Sequence, residues 1–327
     1  MSTVVGIDLG GTKVAAALLG GNGLGESCQH PTELSSTEAL IDQLVAIVGE
    51  ARAGNQIDAV GIGVPSIVEF ATGRVISSVN IPLADVPLRR VLGERVGVPV
   101  FVDNDATVAA LAEAHDEQLN LVSEHLVMLT IGTGVGGGIV LGGRIFRGAT
   151  GGAGEIGHTL IALALADGAL ADVPAAGANF PQRGSLESLA SGHALDRLAD
   201  TLVREQPDSE LARRAGGGGQ VRGADVVAAC RDGDGPAVAV VRRWAHAIGI
   251  GIANAVNTFD PDEVVIGGGA AAAGELLLGP AREIAEGYIV AGLRGHVTVR
   301  FARFGARAGV LGAALLAAHE FRDSTSK

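Results

Sequence analysis

The sequence predicts an α/β fold in two halves, on three observations. Two glycine-rich segments, Ile7-Asp8-Leu9-Gly10-Gly11-Thr12-Lys13 and Leu129-Thr130-Ile131-Gly132-Thr133-Gly134-Val135-Gly136-Gly137-Gly138, are each entered by one apolar run and left by another. Around them, short apolar strand-like runs alternate with stretches whose apolar residues recur at helical spacing, the pattern of α/β domains. The 327 residues, 47% of them hydrophobic, suffice for two cores of ordinary size.

Taken in order, Val4 to Asp8 and Val14 to Leu19 read as a strand pair around the first turn. Ser36 to Arg52 reads as a helix, with Leu40, Leu44, Ile47 and Val48 at helical spacing. Ala59 to Pro65 reads as a buried strand, and a polar hairpin-like section follows through Gly73. Val98 to Val102 is a further strand, ended by Asp103-Asn104-Asp105, and Ala106 to His115 continues as a helix. The first domain is expected to span 1–120.

The second half restarts with a strand pair around Ile131 to Gly138 and a long irregular region from Arg144 to Ser185. Helices return from Leu186, and Leu202 to Arg222, charged and then glycine-rich, reads as an exposed helix end and a mobile loop. Ala237 to Phe259 is a long helix of small residues, stopped by Asp260-Pro261. Glu263 to Ile266 reads as a strand, after which Gly267-Gly268-Gly269 is expected to open an alanine-rich helix whose N-terminus could meet a ligand. The second domain is expected over 121–308, with a terminal helix of about 309–327 packing back on the first.

Composition narrows the function. A net charge of -12 with only 3% aromatic residues argues against a nucleic-acid surface, which needs basic stripes and stacking platforms. Cys28 and Cys230 are too few for a disulfide framework or a thiolate metal cage. Leu126 to Gly143 is uncharged but interrupted by glycines, so no membrane span is expected. The chain opens without a leader pattern, and a cytoplasmic location is expected.

The two glycine turns point to phosphate. Glycine lets backbone N–H groups close on an anion without a Cβ in the way, and two such turns suggest two halves gripping one nucleotide. Aligning Ile7 with Ile131 pairs Gly10 with Gly134 and Asp8 with Gly132, as in a diverged duplication in which only the first copy keeps an acidic group. Phosphoryl transfer to an alcohol needs a phosphate cradle, a divalent cation and a carboxylate to take the hydroxyl proton. Gly10, Gly11, Thr12 and Thr133 supply the cradle, Lys13 adds positive charge, and Asp8 can hold magnesium, directly or through water. Ordinary glycine hairpins are the alternative for either turn alone.

Asp105 reads either as the general base, presented at a strand end where ligands of open α/β sheets bind, or as a helix N-cap. Asp103 is a competing cap. Glu155 and His158, three residues apart after the glycine-rich run Gly148 to Gly154, could hydrogen-bond vicinal sugar hydroxyls. Without other context a Glu-x-x-His is more often a solvated or structural pair, or half of a metal site.

Six motifs in order resemble the ROK family of sugar kinases and sugar-responsive repressors, within the actin-like ATPase and hexokinase superfamily. They are Asp8-Leu9-Gly10-Gly11-Thr12-Lys13, Gly61-Ile62-Gly63-Val64-Pro65, Val102-Asp103-Asn104-Asp105-Ala106, Ile131 to Gly138, Gly154-Glu155-Ile156-Gly157-His158 and Val265-Ile266-Gly267-Gly268-Gly269. The resemblance implies two RNase-H-like domains with the active site in the cleft between them. It implies Asp105 as base and Asn80, Asn104, Glu155, His158 and Glu187 as sugar-binding residues. It implies Asp8, Gly10, Gly11, Thr12, Thr133, Gly134 and Gly267 to Gly269 as the face for ATP and magnesium, and a homodimer. Glucose phosphorylated at its 6-hydroxyl is the leading expectation. Another hexose, N-acylmannosamine or a C7-cyclitol are alternative acceptors, and polyphosphate an alternative donor. A non-catalytic sugar-sensing regulator is the alternative outside the enzymes. The chain starts directly on the first phosphate turn, with no helix-turn-helix ahead of it, which argues against that reading.

The chain departs from the family pattern in one stretch. Where zinc-bearing members carry a cysteine cluster before the last sugar-binding glutamate, this sequence reads Ala176-Gly177-Ala178-Asn179-Phe180-Pro181-Gln182-Arg183-Gly184-Ser185-Leu186-Glu187. No zinc is therefore expected, and His158 needs another partner to fix its ring. Ser66 also stands where many relatives have glycine, which bears on the shape of the sugar pocket.

Overall fold

The computed structural model describes residues 2–78, 80–162, 180–214 and 221–325. The chain divides into two compact units. Unit 1 comprises Met1–Met128, Gly138–Gly154 and Arg303–Lys327; unit 2 comprises Leu129–Gly137 and Glu155–Ala302.

The strands are β1 (Val4–Leu9), β2 (Lys13–Gly20), β3 (Gly23–Leu24), β4 (Cys28–Pro31), β5 (Ala59–Val64), β6 (Ser66–Glu69), β7 (Arg74–Ser78), β8 (Val100–Asn104), β9 (Leu126–Ile131), β10 (Val135–Leu141), β11 (Arg144–Ile145), β12 (Glu263–Gly267) and β13 (Thr298–Phe301). The helices are α1 (Thr37–Arg52), α2 (Leu88–Val96), α3 (Asp105–Glu113), α4 (Leu186–Ala190), α5 (Gly192–Glu205), α6 (Glu210–Arg214), α7 (Gly223–Arg231), α8 (Gly235–Phe259), α9 (Glu275–Tyr288) and α10 (Ala308–Thr325).

Unit 1 is built on the sheet β3-β2-β1-β5-β8, with β4 added alongside β2. β1 and β2 run antiparallel around the first glycine turn, while β1, β5 and β8 run parallel. Side chains alternate across a strand, so Val5, Ile7 and Leu9 of β1 share one face with Val60, Ile62 and Val64 of β5. That face packs on Leu40, Leu44 and Ile47, the stripe of α1 that the sequence marks. Ser36 starts α1 by accepting the Ala39 N–H at its hydroxyl. The opposite face is nearly bare at Gly6 and Gly61, and α10 lies there, packed on β1, β5 and α3. A Cβ on Gly61 would come within 1.8 Å of the Ala313 carbonyl oxygen, so glycine is what lets this helix lie so close.

The second sheet has the order β11-β10-β9-β12-β13. In unit 2 the long helix α8 packs against α4, α5, α7, α9 and β12. It begins with Pro236 in its first turn, where the missing N–H costs nothing, and ends at Asp260 in the left-handed region. Trp244 donates its indole N–H to the Ala190 carbonyl and so ties α8 to the end of α4.

Two local expectations need correction. The cap of α3 is neither Asp103 nor Asp105. Asn104 accepts the Thr107 N–H at 3.1 Å, because the Asp103 side chain is turned inward to an arginine and Asp105 is already the first helical residue. The triglycine turn does not open a helix either. A short 3-10 stretch, Gly269–Ala273, follows it, and Gly274 at φ +61° interrupts the chain before α9 begins at Glu275. Leu202 to Arg222 holds the end of α5 and the short α6, and 215–220, within the expected mobile loop, lies outside the described residues.

Candidate active site

In unit 1 three strand ends bring the acidic residues together. Asp8 of β1 lies beside Gly63 of β5, and Gly63 lies beside Asp103 of β8. A Cβ on Gly63 would stand 3.3 Å from the Asp105 Cα, so the bare backbone of β5 admits the start of α3 against the sheet end. Asp8 is on the same face as Gly6, and its carboxylate reaches the first turn of α10, where a Cβ on Gly309 would come within 2.5 Å. A helix N-terminus favours such an anion. Burial nevertheless pushes the Asp8 carboxyl up, partly offset by Lys13.

Asp105 is the more perturbed group. Burial, reinforced by the neighbouring Asp8 charge, lifts its carboxyl to about 6 against the lowering effect of the Ala106 N–H, which Oδ1 accepts at 2.8 Å. The raised value suits a base that must take a proton near neutral pH. Asn104 caps α3 and directs its Nδ2 at the Ser66 carbonyl at 3.4 Å. Ser66 is itself buried, and its hydroxyl has no partner among the described residues.

The first turn is closed by the Gly10 N–H on the Lys13 carbonyl at 2.9 Å, and Thr32 holds it from outside by donating its hydroxyl to the Gly10 carbonyl at 2.7 Å. Gly11 and Thr12 form the open part of the loop, and Lys13 is exposed at the start of β2. Asn80 packs over this turn, its Cβ 3.2 Å from where a Gly11 Cβ would stand. Asp8, Gly10 to Lys13, Asn80, Asn104 and Asp105 therefore gather in unit 1.

In unit 2 the second turn is closed by the Gly132 N–H on the Gly134 carbonyl at 2.9 Å. Two neighbours press on it. The Gly192 N–H at the start of α5 donates to the Gly132 carbonyl at 2.7 Å. Gly268, at φ +78°, lies so close to Ile131 that a Cβ would be 2.5 Å from its carbonyl oxygen. Thr133 and Gly269 line a cavity of about 600 Å³ that also takes in His193, Asp196, Arg231 and Trp244. This is room for a nucleoside beside the turn. Gly267 ends β12 and does not line it.

Glu187, in α4, accepts the Val135 N–H at 2.8 Å just beyond the second turn. Glu155 and His158 meet across a 3-10 turn, Oε2 to Nε2 at 3.6 Å. The other imidazole nitrogen, Nδ1, is buried without a partner among the described residues. The Phe180 ring packs edge-on against the imidazole, centroids 5.0 Å apart. Ser185 caps α4 by accepting the Ser188 N–H. In this stretch Phe180 thus makes an aromatic contact and Ser185 a helix cap. Ala176 to Asn179 lie outside the described residues.

Arg147, Gly309 and the cavity side chains of His193, Asp196, Arg231 and Trp244 escaped the sequence reading, and Asp103 entered it only as a competing helix cap and as part of a motif. Arg147 had one signal, as the lone charged residue between Arg144 and Glu155.

A model described as the ROK family matches residues 4–320. The chain belongs to the ROK family. Among its relatives, the glucokinase of Halalkalibacterium halodurans is 35% identical over 317 residues, covering 94% of this chain and 92% of that protein. Among solved structures, a ROK glucokinase from Streptomyces griseus, crystallised with glucose and AMPPNP, is 32% identical at a TM-score of 0.75, covering 97% of this chain and 99% of that one. A ROK hexokinase from Thermus thermophilus is 37% identical at a TM-score of 0.77, covering 98% and 99%. The ROK fold is of the actin and hexokinase type. Among the described residues of this ROK protein, no helix is long and apolar enough to cross a membrane.

Proposed function

We propose that this ROK protein is an ATP-dependent kinase that transfers the γ-phosphoryl group to a hexose hydroxyl, with the 6-hydroxyl of glucose as the leading acceptor. The observation that carries the reading is Asp105, held at the first position of α3 with its carboxyl lifted to about 6. Ionised at neutral pH, it takes the hydroxyl proton as the sugar oxygen bonds to the γ-phosphorus and the bond to the departing ADP breaks. The backbone N–H groups of both glycine turns, with Lys13, Thr12 and Thr133, would receive the phosphates, and the 600 Å³ cavity the nucleoside.

Asp8 fits magnesium. It is one hard oxygen donor, buried enough that its carboxyl is pushed up and a cationic partner favoured, and magnesium takes one or two carboxylates with substrate phosphates and water. Bound there, the ion would neutralise phosphate charge. Asn80, Asn104, Glu155, His158 and Glu187 would hold the sugar hydroxyls. The homodimer is part of the same proposal, readable by light scattering.

The test is a coupled assay of ADP formation over glucose, mannose, N-acetylmannosamine, N-acetylglucosamine and a cyclitol, with ATP and then polyphosphate as donor. Glucose is expected to give the highest kcat/KM with ATP. Turnover of none of them sinks the proposal, and sugar binding without turnover would make the chain a sensor.

A further inference from the structure

Asp103 precedes the proposed base by two residues and is only 2% exposed. Burial pushes its carboxyl up, and a carboxylate in such a place is stable only when paired and hydrogen-bonded. Arg147 supplies the pair, its Nε 2.7 Å from Asp103 Oδ2. The same guanidinium donates from Nη2 to Glu320 of α10 at 3.0 Å, and its carbon lies 3.4 Å from the centroid of the Phe70 ring. Phe70 is fixed in turn by Arg89, which donates to the Phe70 and Ala71 carbonyls. Only arginine combines a planar fork with stacking on an aromatic face, so the site is specific for its geometry as well as its charge.

The other Asp103 oxygen, Oδ1, accepts the Asn104 N–H at 3.0 Å. Asn104 in turn caps α3, whose first residue is Asp105. An unbroken series of contacts thus runs from Phe70 and Glu320 through Arg147 and Asp103 to the peptide that orients Asn104 and Asp105. We propose that Arg147 is a positioning residue for phosphoryl transfer, acting through Asp103 to set the strand-end turn from which Asn104 and Asp105 project. It rests on the kinase reading, and Arg147 touches no reacting atom.

The experiment compares full-length wild type with Arg147→Met, Arg147→Lys, Asp103→Asn and the Asp103→Asn/Arg147→Met double variant. Arg144→Ala, which removes an exposed charge three residues away in β11 paired with Asp323, is the control. At a temperature well below every melting transition, Arg147→Met is expected to lower kcat roughly tenfold to a hundredfold, the cost of a base misplaced by about an ångström, with KM for ATP within about twofold. Its acid limb in the pH profile should move, because the surroundings of Asp105 change. Arg147→Lys should recover part of kcat, and the double variant should be no slower than the worse single one, since neutralising Asp103 removes the stranded charge. Should Arg147→Met fail to fold, the double variant and Arg147→Lys carry the same comparison. A folded Arg147→Met with wild-type kcat and an unmoved pH profile overturns the proposal, as does a loss matched by Arg144→Ala. If wild type binds sugar without turnover, the kinase reading alone has failed. Calorimetry then decides: sugar affinity weakened about tenfold in Arg147→Met supports positioning of Asn104, and unchanged affinity overturns it. A wild type that neither binds nor turns over sugar removes both.

Discussion

The Glu187 carboxylate accepts the backbone N–H of Val135 at 2.8 Å, and the same oxygen stands 2.5 Å from the place a Cβ on Gly134 would occupy. A residue proposed to hold sugar therefore also braces the proposed phosphate turn. A charge-assisted bond of this kind contributes about 1.5–3 kcal/mol, more than a neutral one.

Removing that brace should disturb both substrates. Glu187→Ala is expected to raise KM for ATP and for sugar alike, each about tenfold, whereas Glu187→Gln, which keeps an acceptor oxygen, should affect ATP less. Gly134→Ala should resemble Glu187→Ala toward ATP, because its Cβ displaces the carboxylate. Initial-rate kinetics with each substrate varied in turn provide the check. A Glu187→Ala enzyme altered only in sugar KM would show that the bond to Val135 has no bearing on nucleotide.

Asp105 predicts the pH dependence of turnover. Its carboxyl, at about 6, is protonated below that pH and cannot take a proton, so kcat/KM should fall about tenfold per pH unit on the acid side. Asp105→Asn should lose about 10²–10⁴-fold in kcat, retain sugar binding and show no such limb. Rate profiles between pH 4.5 and 8 would reveal it, and a limb that survives in Asp105→Asn would assign the titration to another group.

The same residue predicts a stability difference of opposite sense. A carboxyl raised from 3.8 to about 6 on folding binds protons more tightly in the native state, so its contribution is fully present below 3.8 and is lost as pH rises through 6. Asp105→Asn, which cannot ionise, should therefore melt higher than wild type at pH 7–8, by no more than about 3 kcal/mol. The gain should vanish toward pH 4. Scanning calorimetry at the two ends measures it, and a variant less stable at pH 8 than wild type would contradict the desolvation argument.

The parts of the site legible in the sequence are those built from contiguous residues. Gly10 to Thr12 and Thr133 to Gly134 stand out because the same small-residue turn between apolar runs occurs twice, whereas either turn alone reads equally as a hairpin, and Asp105 stands out because a strand run gives way to a helical one beside it. The residues that hold these parts in place are distant in the chain. Arg147 meets Asp103 across 44 positions and Glu187 meets Val135 across 52, and no local periodicity reports such a pairing. The helix expected after Gly269 failed for a different reason, since a run of alanines carries no sign of the left-handed break that Gly274 imposes. The short β3, β4 and β13 likewise depend on the neighbours they pair with, and two to four residues give no pattern to read.

His158 predicts what stands in for a metal. With Nδ1 buried and unpartnered among the described residues, the ring is oriented by the Phe180 edge contact and by Glu155. Such an aromatic contact is worth about 0.5–1.5 kcal/mol, so Phe180→Ala should raise the sugar KM roughly twofold to tenfold and leave the KM for ATP unchanged. Zinc chelation before assay should have no effect on wild type. Kinetics with and without chelator check both points, and activity lost to chelation and restored by zinc would show that His158 is held by a metal.

Gly309 predicts how the magnesium requirement can be changed without touching a ligand. The Asp8 carboxylate is received by the first turn of α10 at a residue without a side chain, and an alanine there would put its Cβ 2.5 Å from the carboxylate. The contact is too short to survive, and the carboxylate is the movable partner because the helix is packed along β1 and β5. Gly309→Ala is therefore expected to turn Asp8 away from its present direction and raise the magnesium concentration for half-maximal rate several-fold, with the sugar KM little changed. A folding cost of about 1–3 kcal/mol should accompany it, as for other overpacked sites. Rates across a magnesium titration at fixed ATP, read below the melting transition of the variant, separate the two effects. An unaltered magnesium dependence in a folded Gly309→Ala would remove Asp8 as the metal's anchor and move the search to the substrate phosphates alone.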